Sequence, residues 1–392
     1  MFEALSVVPR AELEARWAKV RRFLAETAPD AGGVLAFSRL NVYYLSGVLG
    51  AGCCWLPLEG EPVLLLRKGR ERALLESALT RIAAFKSYKD LPALAAEAGS
   101  PFSEVIAAET TGLSWQLGQM LASRLSDRRF VSGDLALNLA QSLKSEWELN
   151  ILRLAGERHH QALHDILPEA IRPGMSEREI SHLAWQVFFT LGHQGLMRMS
   201  AFGEEIFLGH VSAGDSGNYP SVFNGPLGVR GEHPAAPYMG YAGKLWNRGE
   251  PLALDIGFAL EGYCTDKTQL YWAGGEGEIP EAAENLRPGN TPEHIWLHCR
   301  DWAAKAGFAE GFMGLDENKV PFLGHGIGLA IDCYPAIAKG FDRPIEAGMV
   351  FALEPKIGVP GLGMVGVENT FEVTPSGGVC ITGDDCRMLC IA

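Results

Sequence analysis

The segment LALDIGFALEGYCTDKTQLYW, residues 252–272, constrains this chain most. Two apolar, strand-like runs each carry one aspartate, Asp255 and Asp266, eleven positions apart. Gly257 and Gly262 lie between them, so the chain can turn and bring the two runs side by side. Aspartate is depleted in strands, and burying its carboxylate without a partner is costly. Two carboxylates held close repel, and one takes up a proton unless a cation neutralises them. On this segment alone two readings stand: a pair of surface hairpin aspartates, or a pair kept for a divalent cation.

Three later stretches bear on that choice. FLGHGIGLAID places His325 between glycines, where backbone can approach closely and the imidazole stays accessible. VFALEPKIG puts Glu354 at the end of an apolar strand, and VGVENTFEV puts Glu368 in an alternating one. Singly each is unremarkable, since most histidines and strand glutamates are structural or solvent-facing. Together they present four carboxylates and one imidazole from apolar elements. Such an oxygen-rich set with one nitrogen suits Mn, Fe, Co or Zn, and has donors enough for two ions.

The chain has 392 residues, enough for two or three domains. Alternating strands and helices over residues 1–142 predict an α/β domain. Within it GGVLAF, VYYLSGVLG, EPVLLLRKG and FSEVIAAET read as strands, and residues 11–28, ERALLESAL and LSWQLGQMLASRLS as helices. A second domain, 143–392, opens with the helical stretch 144–171. A Pro-Gly pair followed by a helix occurs twice there, at RPGMSEREI and RPGNTPEHI, each time ahead of glycine-rich, strand-like sequence. This faint repeat suggests two α/β halves. Ser176 and Glu179 form a capping box for the first of these helices.

A net charge of −13 gives no electrostatic footprint for nucleic acid or an anionic membrane. No apolar run approaches the roughly 20 residues of a membrane span, and MFEALSVVPRAELEARW does not read as a secretory signal. Eight dispersed cysteines without a CxxC pair favour free thiols in a reducing, cytoplasmic setting.

With those motifs assembled, the chain resembles the M24 "pita-bread" metallopeptidases: methionine aminopeptidase, aminopeptidase P, prolidase and creatinase. The resemblance rests on the D-x-G…D-x-T hairpin at Asp255 and Asp266, GHGIG at His325, LEP at Glu354 and VEN-T at Glu368, in the family's order. NVYYLSG and SLKSEWELNILRLA match the creatinase-type N-terminal domain and the entry to the catalytic domain. The resemblance implies a small α/β N-terminal domain followed by a pseudo-symmetric pita-bread domain. It implies two divalent ions, with Asp266 and Glu368 bridging, Asp255 on one ion, and His325 and Glu354 on the other. Glu354 would also take the proton of a bridging water and pass it to the leaving amine. A homodimer acting on short peptides, most like an Xaa-Pro peptidase, is the family expectation.

The sequence also departs from the family. Two helper histidines usually bind the substrate carbonyl and stabilise the oxyanion. Seventeen residues before Asp255 stands Tyr238, and seven after His325 stands Asp332. Tyr238 could donate a hydrogen bond, and His233 or His210 could be displaced substitutes. His210 opens a long Gly-rich stretch, FLGHVSAGDSGNYPSVFNGPLGVRG, which reads as a surface loop or a re-formed pocket wall. Gln269 and Gly366 stand where proline-type peptidases usually carry arginine, and the segment 273–288 is short for its place. Beside the Xaa-Pro peptidase, two other readings remain: a hydrolase of a different small amide, and a metal-retaining binding protein without catalysis.

Overall fold

The computed structural model describes residues 6–274 and 286–391, so most of the short segment 273–288 lies outside the described residues. The chain divides into two compact units. One is Met1–Gln141 with Ala201–Gly203, the other Ser142–Ser200 with Glu204–Ala392.

The first unit is a six-stranded mixed sheet with helices. Its strands are β1 (Gly33–Ala36), β2 (Ala51–Pro57), β3 (Val63–Lys68), β4 (Ile82–Ala84), β5 (Val105–Ala108) and β6 (Arg129–Ser132), in the order β4-β3-β2-β1-β5-β6. Leu35, Trp55, Leu65, Phe102, Ile106 and Leu121 fill one side of it. One sequence expectation is corrected here. VYYLSGVLG is not a strand: Arg39–Ser46 is helical. Ser38 caps that helix by accepting from the Asn41 N–H at 3.2 Å, and Gly47 closes it at φ 75°. These end signals outweigh the β-prone Val-Tyr-Tyr run, whose Val42 and Tyr44 are buried all the same.

The second unit carries two larger sheets. The strands are β7 (Leu196–Arg198), β8 (Glu205–Phe207), β9 (Gly209–Ala213), β10 (Pro251–Leu260), β11 (Tyr263–Ala273), β12 (Phe322–Gly326), β13 (Cys333–Ala338), β14 (Val350–Leu353), β15 (Lys356–Val359), β16 (Gly363–Gly366), β17 (Asn369–Thr374), β18 (Gly377–Cys380) and β19 (Leu389–Ile391). One sheet runs β19-β11-β10-β9, the other β13-β12-β14-β17-β18, and β15 pairs with β16 as a hairpin. The two Pro-Gly motifs play the same part in each half. Gly174 and Gly289 adopt φ 95° and 94°, and two residues later Ser176 and Thr291 cap the helices Glu177–Thr190 and Pro292–Lys305. Left-handed glycine followed by a hydroxyl cap is the local chemistry behind the repeat. Among the described residues no helix is long and apolar enough to cross a membrane.

Buried histidine gives this unit a pH-dependent stability. His193 Nε2 donates to the Gly195 carbonyl at 2.8 Å, while Nδ1 accepts the Ala259 N–H at 2.9 Å. A second proton on Nδ1 would break the Ala259 bond. Burial accordingly pushes His193 down to about 4. The unfolded imidazole titrates near 6.5, so the folded state holds fewer protons between those values. The stabilisation is present above about pH 6.5 and is lost as pH falls toward 4. The expected loss is roughly 2–3 kcal/mol. Urea midpoints at pH 7.5 and pH 5 measure it. An identical pH slope in His193→Gln would remove His193 as the source.

Candidate active site

The hairpin of β10 and β11 turns through Glu261 and Gly262, at φ 49° and 83°. Two successive positive φ values make the type I′ turn that matches the twist of the flanking strands. Its register sets Asp255 opposite Thr268 and Asp266 opposite Gly257. With a side-chain period of two, both carboxylates share one face. On the other side of β10, His210 of β9 lies opposite Asp255, which brings its ring to the same face.

The second sheet supplies the rest. His325 on β12 is opposite Ala352 of β14, and β14 pairs with β17 through Leu353 and Asn369. Continued by one residue, that register sets Glu354 against Glu368. The two sheets join at this point, where Thr268 and Glu368 exchange backbone hydrogen bonds of 3.1 and 3.3 Å. Asp255, Asp266, His325, Glu354 and Glu368, widely separated in sequence, therefore line one cavity together with His210 and Asp332.

The five residues are not equivalent. Ligand atoms of Asp266, His325 and Glu368 lie within 4.8 Å of one another. His325 Nδ1 is 3.1 Å from the Gly326 carbonyl. Donation there leaves Nε2 with its lone pair free, the form a metal ligand takes. That nitrogen is 3.8 Å from Glu354 Oε1 and 3.9 Å from Glu368 Oε1. Glu368 Oε1 is buried with no hydrogen-bond partner, a costly condition that a cation would relieve. These donors suit a divalent ion.

The opposite edges of the same carboxylates face Lys356, a residue the sequence reading passed over. Its side chain is fully buried, and Nζ lies 2.7 Å from Glu368 Oε2, 2.9 Å from Glu354 Oε2 and 3.5 Å from Asp255 Oδ2. The signal was present. In EPK, Lys356 is two residues past Glu354 at a strand edge, so it returns to the same side. Burial opposes its charge, but Asp255, Glu354 and Glu368 together hold the ammonium well above its ordinary range. Burial also works against ionisation of Asp255, yet Lys356 and then His210 outweigh it and keep that carboxyl low. Asp266 goes the other way: burial, then the Asp255 charge, push it up to about 7. Burial and the Asp266 charge likewise raise Glu368 well above the carboxylate range.

The remaining sequence candidates separate. His210 is buried in the cavity wall against Phe223, with Nε2 unpartnered. Burial pushes it down to about 4, so it is neutral at physiological pH. The structure does not bring His233 to the cavity: it is exposed, and its Nδ1 accepts the Ala235 N–H. Tyr238 is 38% exposed and stands behind Phe223, outside the lining. Asp332 does line the cavity, but Oδ1 is spent on the Ser200 N–H at 2.6 Å. The Gly-rich stretch after His210 supplies Phe223, Asn224, Gly225 and Leu227 to the wall. It is pinned by buried Glu177, which accepts from the Ala213 and Tyr241 N–H groups at 2.8 and 2.9 Å.

Two α/β sheets meeting at four carboxylates and an imidazole define a metal-dependent hydrolase of the pita-bread fold. A model of metallopeptidase family M24 matches residues 150–375, and one of the creatinase/prolidase N-terminal domain matches residues 16–139. The chain belongs to metallopeptidase family M24. It is 25% identical to the Xaa-Pro dipeptidase of Pyrococcus furiosus, over 96% of this chain and 100% of that one. It is 30% identical to the Xaa-Pro dipeptidase of Lactobacillus delbrueckii subsp. lactis, over 69% of this chain and 68% of that one. The crystal structure of dipeptidase PepE from Mycobacterium ulcerans superposes with a TM-score of 0.77 at 22% identity, covering 98% and 100% of the two chains, and shares the fold.

Proposed function

We propose that this chain hydrolyses short peptides or small amides at the centre formed by Asp255, Asp266, His325, Glu354 and Glu368, with Xaa-Pro peptides the first class to test. The observation that carries this reading is the orphaned Glu368 Oε1 facing the free lone pair of His325, with Asp266 beside them. A divalent ion held there supplies Lewis acidity, polarising a carbonyl and acidifying water. Glu354, whose Oε1 is turned toward His325, accepts the water's proton and passes it to the leaving amine. His210, neutral and unpartnered at Nε2, donates to the carbonyl oxygen in place of the missing helper histidines. Ile206, Leu208, Phe223 and Ile331 give the cavity an apolar wall that suits a pyrrolidine ring.

The family pattern implies two ions, Mn, Co, Zn or Fe. How many this chain carries turns on Lys356. Gln269 does not replace the family's arginine as a substrate contact, because its amide donates to the Leu270 and Arg387 carbonyls at 3.1 Å. That leaves this position without the arginine that proline-type peptidases usually carry. A cytoplasmic location and a homodimer complete the reading. The first is supported by eight dispersed cysteines without a CxxC pair, the second by the match to the creatinase/prolidase N-terminal domain.

The direct test is hydrolysis of short peptides, half with Pro second, by metal-stripped protein reloaded with Mn, Co, Zn or Fe. Cleavage confined to the Pro half supports the Xaa-Pro reading. Metal uptake without cleavage of any peptide removes it. Asp266→Ala and Glu368→Ala are each expected to reduce bound metal at least tenfold, since losing even a hydrogen-bonded partner of a ligand costs roughly 10- to 100-fold in affinity. Full metal content in either variant by elemental analysis would sink the ligand assignment.

A further inference from the structure

We propose that the Lys356 ammonium occupies the second cation position of this centre, so that the chain carries one divalent ion where its family pattern implies two. The inference rests on the metal-dependent reading above and deepens it.

Four carboxylates converge on the centre, and each glutamate is shared in a definite way. Oε1 of Glu354 and of Glu368 turns toward His325, while Oε2 of each turns toward Lys356. Asp255 sides with the lysine: its Oδ2 is 3.5 Å from Nζ, and it stands outside the Asp266–His325–Glu368 cluster. An ammonium has three donors, and here each faces a different carboxylate. Asp255 Oδ2 and Glu368 Oε2, two of the donors a second ion would use, are therefore already engaged by a fixed positive charge. A second divalent ion would press against the ammonium in a buried setting.

The fold makes room for this side chain. Lys356 pairs with Gly366 across the β15–β16 hairpin. A Cβ on Gly366 would lie 2.8 Å from Lys356 Cγ and closer still to the Pro355 carbonyl oxygen. Any larger residue at 366 would force both the backbone at Pro355 and Lys356 and the lysine stem to shift. The ammonium fixes charge and geometry, but it has no open coordination position and cannot acidify water as an ion does.

Titration of metal-stripped, full-length protein with Mn(II) tests this, read by bound equivalents and by electron paramagnetic resonance. The wild-type chain is expected to bind one equivalent with an isolated-ion spectrum. Lys356→Ala is expected to bind two, with the spin coupling of an adjacent pair. Two coupled ions in the wild type would overturn the proposal. If that protein also hydrolyses peptides only with Mn, the metal-hydrolase reading stands without it. No uptake by either protein, with native circular dichroism, would sink both. If Lys356→Ala fails to fold, Asp255→Asn decides. With Asp255 paired to the lysine rather than to the ion, the variant keeps one equivalent. Loss of that equivalent would overturn the proposal.

Discussion

Glu354→Gln is expected to lower metal-dependent hydrolysis by roughly 10²- to 10⁴-fold, the range of a lost general base. The substitution removes the proton acceptor while keeping the side chain's shape. Glutamine keeps the volume of a side chain that is only 4% exposed. Its amide oxygen can still accept from Lys356, as Glu354 Oε2 does at 2.9 Å. The backbone bond from the Glu354 N–H to the Leu323 carbonyl is untouched. What the amide cannot do is take up the proton released from water. Where metal is retained, the fall should therefore sit in kcat rather than in KM. Metal content is measured on the same samples, which separates loss of the base from loss of the ion. A kcat within about threefold of wild type, with metal retained, would remove Glu354 from proton transfer.

The second large effect is expected at His210. Its ring lies in the cavity wall opposite Asp255, with Nε2 unpartnered. If it donates to the developing oxyanion, His210→Ala should cost roughly 10²- to 10³-fold in kcat. Burial holds this imidazole down at about 4, so its contribution should be flat from about pH 5 upward rather than titrating near 6.5. His233→Ala is the matched control. That ring is exposed and holds the Ala235 N–H, so its removal should change the rate less than about twofold. Equal effects at the two positions would mean that neither histidine acts on substrate.

Much of the site was legible because its residues sit on elements with strong local rules. The Asp255–Asp266 hairpin is written in two β-prone runs and a glycine at a positive-φ turn position. The halves of the second unit are written in Pro-Gly pairs followed by hydroxyl caps. Local rules also conflict, and NVYYLSG shows it. A β-branched and aromatic run there folds as helix Arg39–Ser46, because Ser38 and Gly47 terminate it at both ends.

The sequence by itself determined which residue types are offered: carboxylates and one imidazole on apolar strands, in an order that only a few folds bring together. Tertiary structure decided what those residues face. Nothing in the spacing of His210, His233 and Tyr238 says which one reaches the cavity. Strand pairing says it, by setting His210 across from Asp255. Nothing in EPKIG says that an exposed-looking lysine is fully buried. That follows only when two sheets close on each other, Gly366 leaves space beside it, and three carboxylates from separate segments surround one ammonium. A sequence pattern fixes the face on which a side chain emerges. The charge it meets there also depends on residues as remote as Asp255, 101 positions from Lys356, because electrostatic energy follows distance in space and not along the chain.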